Sequence, residues 1–146
     1  MSAINEWFGY YNAIFRYIER TYGKAELDRY LDYLAKVPNR DVAETYRQGG
    51  LEAIQTRYVK NFTKDGDENS VASEMRGGEL AMRVHCPAFY NSPAAEHPDR
   101  QAGPFLCECC KKLNAGILRE AGFSLGVGQD HPGDCVWRIR KAGEPQ

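Results

Sequence analysis

Ser70-Val71-Ala72-Ser73-Glu74-Met75-Arg76-Gly77-Gly78-Glu79-Leu80-Ala81-Met82-Arg83-Val84 is the stretch in which the chain changes period. Polar and apolar residues alternate on both sides of Gly77-Gly78, the pattern of two strands joined by a tight turn that accepts positive φ. Everything upstream has the period of helices. Ser2 caps a predicted helix to about Tyr22, with Ile4, Trp7, Phe8, Tyr11, Ile14, Phe15 and Ile18 at three-and-four spacing, and Gly23 stops it. A second helix is expected from Lys24 to Lys36 through Leu27, Tyr30, Leu31 and Leu34; Pro38 forces its end. Asp41 starts a third, short helix broken at Gly49-Gly50, and a fourth is expected from Leu51 to Phe62 through Ile54 and Tyr58.

Downstream, a polar loop from Pro87 to Pro104 leads into a predicted helix from Phe105 to Ala121, apolar at Leu106, Leu113, Ile117 and Leu118 and stopped by Gly122. Phe123 to Val127 and Cys135 to Ile139 read as two further strands around a turn with Gly128, Pro132 and Gly133. The expected fold class is α+β: N-terminal helices packed on a small antiparallel sheet of about four strands, with a C-terminal cysteine-rich helix. One domain is expected over 1–146, with a helical half to about residue 64 and a cysteine-rich half from about 65 to 141.

A chain of 146 residues can bury roughly two-thirds of its unfolded surface without disulfide staples. Lys plus Arg number 19 against 20 Asp plus Glu, so no strong field of either sign recruits nucleic acid or an anionic membrane. No apolar run reaches the roughly 20 residues of a membrane span, and the N-terminal residues lack a signal-peptide layout, so the cytoplasm is the expected compartment.

Five cysteines, at 86, 107, 109, 110 and 135, fall in the last 61 residues and none in the first 85. In a reducing compartment such thiols are free to ligate a metal. Cys107-Glu108-Cys109-Cys110 contains a C-x-x-C pair, and an antiparallel sheet can bring Cys86 and Cys135 beneath it. The expected ligands are therefore Cys86, Cys107, Cys109, Cys110 and Cys135, with the choice among the central three left open. Zinc is the expected ion, and an iron-sulfur cluster is the alternative use of the same thiolates. A redox pair, or plain burial as small apolar residues, are the other readings. Because the cluster is expected to open its helix, the helix N-terminus is expected to depress the thiol pKa values.

Val84-His85-Cys86-Pro87, Cys109-Cys110 and Gly133-Asp134-Cys135-Val136-Trp137-Arg138-Ile139 resemble the L-2-amino-thiazoline-4-carboxylic acid hydrolase family, and more distantly the small-molecule-binding domains of the vinyl-reductase type, over roughly residues 70–140. The resemblance implies N-terminal helices, a central antiparallel sheet and a cysteine-lined site. It also implies a metal-dependent hydrolase acting on a small cyclic amidine or heterocyclic carboxylic acid. The chain departs from the hydrolase pattern at Lys111 and Lys112, where an aspartate is expected. His85, Asp130 and His131, near presumed ligands in sequence, are the candidate catalytic bases.

The alternative is a non-catalytic sensing module with a structural four-cysteine zinc, for which the vinyl-reductase-type pattern also suggests Glu108. Trp7, Tyr10, Tyr11, Phe15, Phe89, Tyr90 and Trp137 would then supply the walls of a ligand pocket, and Arg83, Arg138 or Arg140 would hold a carboxylate. The expected partner is a small-molecule ligand, with no nucleic acid and no membrane. The aromatic first helix leaves a homo-oligomer or a place in a larger complex open.

Overall fold

The computed structural model describes residues 3–63, 70–85, 102–131 and 134–143. Three helices come first: α1 (Ala3–Tyr22), α2 (Lys24–Lys36) and α3 (Arg40–Thr63). Gly23 separates α1 from α2 with φ 95°, a conformation that side chains disfavour, while its N–H bonds the Glu19 carbonyl at 2.9 Å. The break expected at Gly49-Gly50 is present: Gly50 adopts the non-helical φ 67° and ψ −156°, so α3 is two helical segments that meet at a kink.

The hairpin β1 (Ser70–Arg76) and β2 (Glu79–His85) turns at Gly77 and Gly78, both at positive φ. After α4 (Ala102–Glu120) come β3 (Phe123–His131) and β4 (Asp134–Lys141), longer than their periodicity suggests. All pairs are antiparallel, in the order β1-β2-β4-β3, so the last strand is central. The fold is α+β with a four-stranded antiparallel sheet, as the sequence predicts.

Strand alternation divides the sheet. Leu80, Met82 and Val84 of β2 and Cys135, Trp137 and Ile139 of β4 are buried under the helices, where they pack with Tyr46, Ile54, Tyr58, Ile117 and Leu118. A second cluster, Phe15, Leu27, Leu31, Leu106 and Cys109, lies between α1, α2 and α4. Leu113 touches both clusters, so α4 is a middle layer with two buried sides. That position decides where each cysteine goes.

Candidate functional site

Cys107 and Cys110 of α4 and Cys135 of β4 line one cavity of about 30 Å³, with Phe62, Val84, Lys111 and Trp137. Helical spacing accounts for the first two, since residues three apart share a face. Strand alternation accounts for the rest: Cys135 and Trp137 point to the same side, and the register sets Val84 opposite Cys135 and Met82 opposite Trp137. The structure thus brings together three of the five predicted ligands, from a helix and a strand distant in sequence.

Cys109 goes elsewhere. It is 2 % exposed in the second cluster, on the side of α4 that faces α1 and α2. Burial pushes its thiol up to about 12, and Lys112 offsets this in part. Cys107 is pushed up to about 11 by burial first and by the neighbouring Cys135 second. The expected depression by a helix N-terminus is therefore corrected. α4 begins at Ala102, so Cys107 is not in its first turn, and desolvation outweighs the helix field.

Asn114, one turn beyond Cys110, donates through Nδ2 to the Cys110 carbonyl at 2.8 Å and to its sulfur at 3.4 Å. The two lysines part company. Lys111 lines the cavity, whereas Lys112 bonds Asp28 of α2 at 2.9 Å, a pairing that raises its pKa. Asn114, Phe62 and Val84 have no site role in the sequence reading. The signal for Asn114 was its spacing of four from Cys110 on the same helix face.

His85 sits on the other face of the sheet. Its neighbour Val84 is buried under the helices, and alternation turns His85 outward, where Nδ1 meets Asp134 Oδ1 at 2.5 Å. His131 is opposite Asp134 in the β3–β4 register, beyond an irregularity at Gln129/His131. The side chains of Asp130 and His131, and all of Cys86, Phe89 and Tyr90, lie outside the described residues, as does the side chain of Trp7. On the outer face Arg138 and Arg140 hold Glu79 at 2.8 and 2.5 Å, and the Arg140 hydrogen bond is the main reason its carboxyl pKa is lowered. Of the other aromatic candidates, Phe15 belongs to the second cluster, and Tyr10 and Tyr11 are exposed.

Among the described residues, no group of three or more His, Cys, Asp or Glu side chains is arranged to hold a metal ion, and no helix is long and apolar enough to cross a membrane. No protein-family model, no curated protein and no solved structure matches the chain.

Proposed function

We propose that the chain is a metal-binding module in which Cys107, Cys110 and Cys135 hold one zinc ion and fasten α4 to the sheet. The supporting observation is that these three thiols share one apolar cavity while Cys109 is packed away from it. Thiolate sulfur is the donor zinc prefers in structural sites, so the donor set fits the group. The volume supports a single ion: about 30 Å³ is the space of one water-sized particle, whereas an organic ligand needs several hundred. It speaks for zinc over a multi-iron cluster on the same ground. Binding on this reading draws the three sulfurs inward from their positions around the cavity.

A fourth donor is required for a closed tetrahedral site. Cys86, outside the described residues, is the remaining sulfur among the ligands that the sequence offers. The placement of His85 across the sheet favours the non-catalytic reading over hydrolysis, because the described cavity has Lys111 but no imidazole or carboxylate.

Metal analysis of protein purified under anaerobic conditions tests the proposal. About one zinc per chain is expected, retained in Cys109→Ser and lost in Cys107→Ser, Cys110→Ser and Cys135→Ser. Metal-free protein, or metal lost only in Cys109→Ser, defeats the reading.

A further inference from the structure

The sheet order β1-β2-β4-β3 leaves β1 and β3 as its two edges, and the two are finished differently. β1 carries Glu74 and Arg76, which pair with each other, and Gln55 of α3 donates through Nε2 to its Ser73 hydroxyl at 2.9 Å. Charged residues on an edge are a common guard against pairing with a further strand. From Phe123 to Gln129, β3 holds neither a charged residue nor a proline.

The register fixes which backbone groups β3 turns outward. The Ala142 N–H donates to the Gly122 carbonyl at 2.9 Å, one step beyond the pair of Phe123 and Lys141. Hydrogen-bonded pairs of an antiparallel ladder recur at every second residue, so Gly122, Ser124, Gly126 and Gly128 bond toward β4. The N–H and C=O groups of Phe123, Leu125 and Val127 therefore point away from it, and among the described residues no strand lies beyond β3 to receive them. On the helix side, Leu125 and Val127 pack against the core but are only half-buried. On the opposite side stand Gly126 and Gly128. Neither has the positive φ that calls for glycine, and a Cβ at either would meet nothing within 4 Å. One chain alone does not explain them, whereas glycine inside a strand often marks the close approach of another backbone.

We propose that β3 is a self-association edge, which pairs antiparallel with β3 of a second copy about a two-fold axis at Gly126 and joins the two sheets into one. This register is self-complementary. Leu125 of each copy lies opposite Val127 of the other on the helix side, each such pair exchanging two backbone hydrogen bonds, and Ser124 lies opposite Gly128. Gly126 meets its own copy in a pair without hydrogen bonds, where the two backbones come closest, about 4.5 Å between Cα atoms. A residue on a two-fold axis faces itself, so a charge there would repel its copy, and this stretch of β3 has none. A strand-to-strand contact of this length buries less than the roughly 1,200 Å² of a standard interface, so a weak dimer that forms with rising concentration is expected. Nothing in the pairing requires a bound metal.

The test is sedimentation velocity of the full chain from micromolar to near-millimolar concentration, with hydrogen exchange read at both ends. The expected result is a monomer–dimer equilibrium in which the Leu125 and Val127 amides exchange freely in the monomer and become protected in the dimer. Gly126→Lys and Gly126→Glu each set like charge against like charge at the axis and should weaken association at least about tenfold, while an equimolar mixture of the two variants restores it. Open space at Gly126 should leave the monomer fold of both variants unchanged, which unfolding midpoints at low concentration check. A native chain that stays monomeric overturns the proposal. A dimer that both variants form as well as the native chain also overturns it, since association then uses another surface, such as the exposed Tyr10 and Tyr17 of α1. Protection of the two amides that is equal at every concentration does the same, because the edge is then covered within one chain.

Discussion

Tyr58 of α3 donates its hydroxyl proton to Asn114 Oδ1 of α4 at 2.9 Å, and the Asn114 amide in turn reaches the Cys110 carbonyl and sulfur. Tyr58 is 3 % exposed and packs against Tyr46, Phe62 and Trp137, so the chain of bonds runs through the core to the edge of the thiol cavity. Burial is the first cause that holds the Tyr58 phenol well above its usual pKa, which keeps it a donor throughout the working range.

Asn114→Ala should therefore be costly, since it leaves the buried Tyr58 hydroxyl only its hydrogen bond with Tyr46 and removes a donor from Cys110. A loss of about 1–3 kcal/mol is expected in urea unfolding. Tyr58→Phe should cost less, because Asn114 is only half-buried and water can take over its freed oxygen. Equal midpoints for Asn114→Ala and the unsubstituted protein would show that this chain of bonds contributes nothing.

Alkaline pH should weaken the metal-free protein through its buried thiols. Cys107 and Cys109 move from an ordinary 9.0 to about 11 and about 12, so between these limits the unfolded chain has lost thiol protons that the folded chain keeps. Folded thiols bind more protons than unfolded ones in that window. Stability then falls as pH rises, at up to roughly 1.4 kcal/mol per pH unit per thiol. Full stability from these groups is present below pH 9. Unfolding midpoints measured from pH 8 upward check the sign, and Cys109→Ala should flatten the slope.

Gly116 of α4 sits against Ala35 of α2, and a Cβ at Gly116 would come within 2.9 Å of the Ala35 Cβ. Gly116→Ala gains at most about 1 kcal/mol of helix propensity and pays roughly 1–3 kcal/mol for overpacking, so net destabilisation is expected. Ala35→Gly in the same chain should relieve the clash. A more stable Gly116→Ala protein would mean that the two helices separate more freely than their contact suggests.

The helices and strands were legible because their periods differ and their stops are strong: Gly23, Pro38, Gly77-Gly78 and Gly122 each end an element in the structure. Less legible was α4. One apolar face was assigned to it, yet the helix is buried on two sides, and Leu106 and Cys109 serve a different cluster from Ile117 and Leu118. Spacing within Cys107-Glu108-Cys109-Cys110 cannot say which side meets the sheet without knowing the layer on the other. The position of His85 was readable in principle, since strand neighbours face opposite ways and Val84 is apolar. Nearness in sequence to a candidate ligand does not set the face of the sheet on which a strand residue lies. On α1, Phe15 is buried as the stripe predicts, but Tyr11 and Ile14 remain 44 % exposed. Among the described residues the helix packs chiefly against α2 and α4, which cover a narrower band than its apolar residues span.

The most direct test of the central claim is the absorption spectrum of the chain titrated with cobalt under anaerobic conditions. The account predicts a thiolate-to-cobalt charge-transfer band that saturates at one equivalent, persists in Cys109→Ser and collapses in Cys107→Ser and Cys135→Ser. A titration without that band, or one unchanged when Cys107, Cys110 and Cys135 are replaced together, would contradict it.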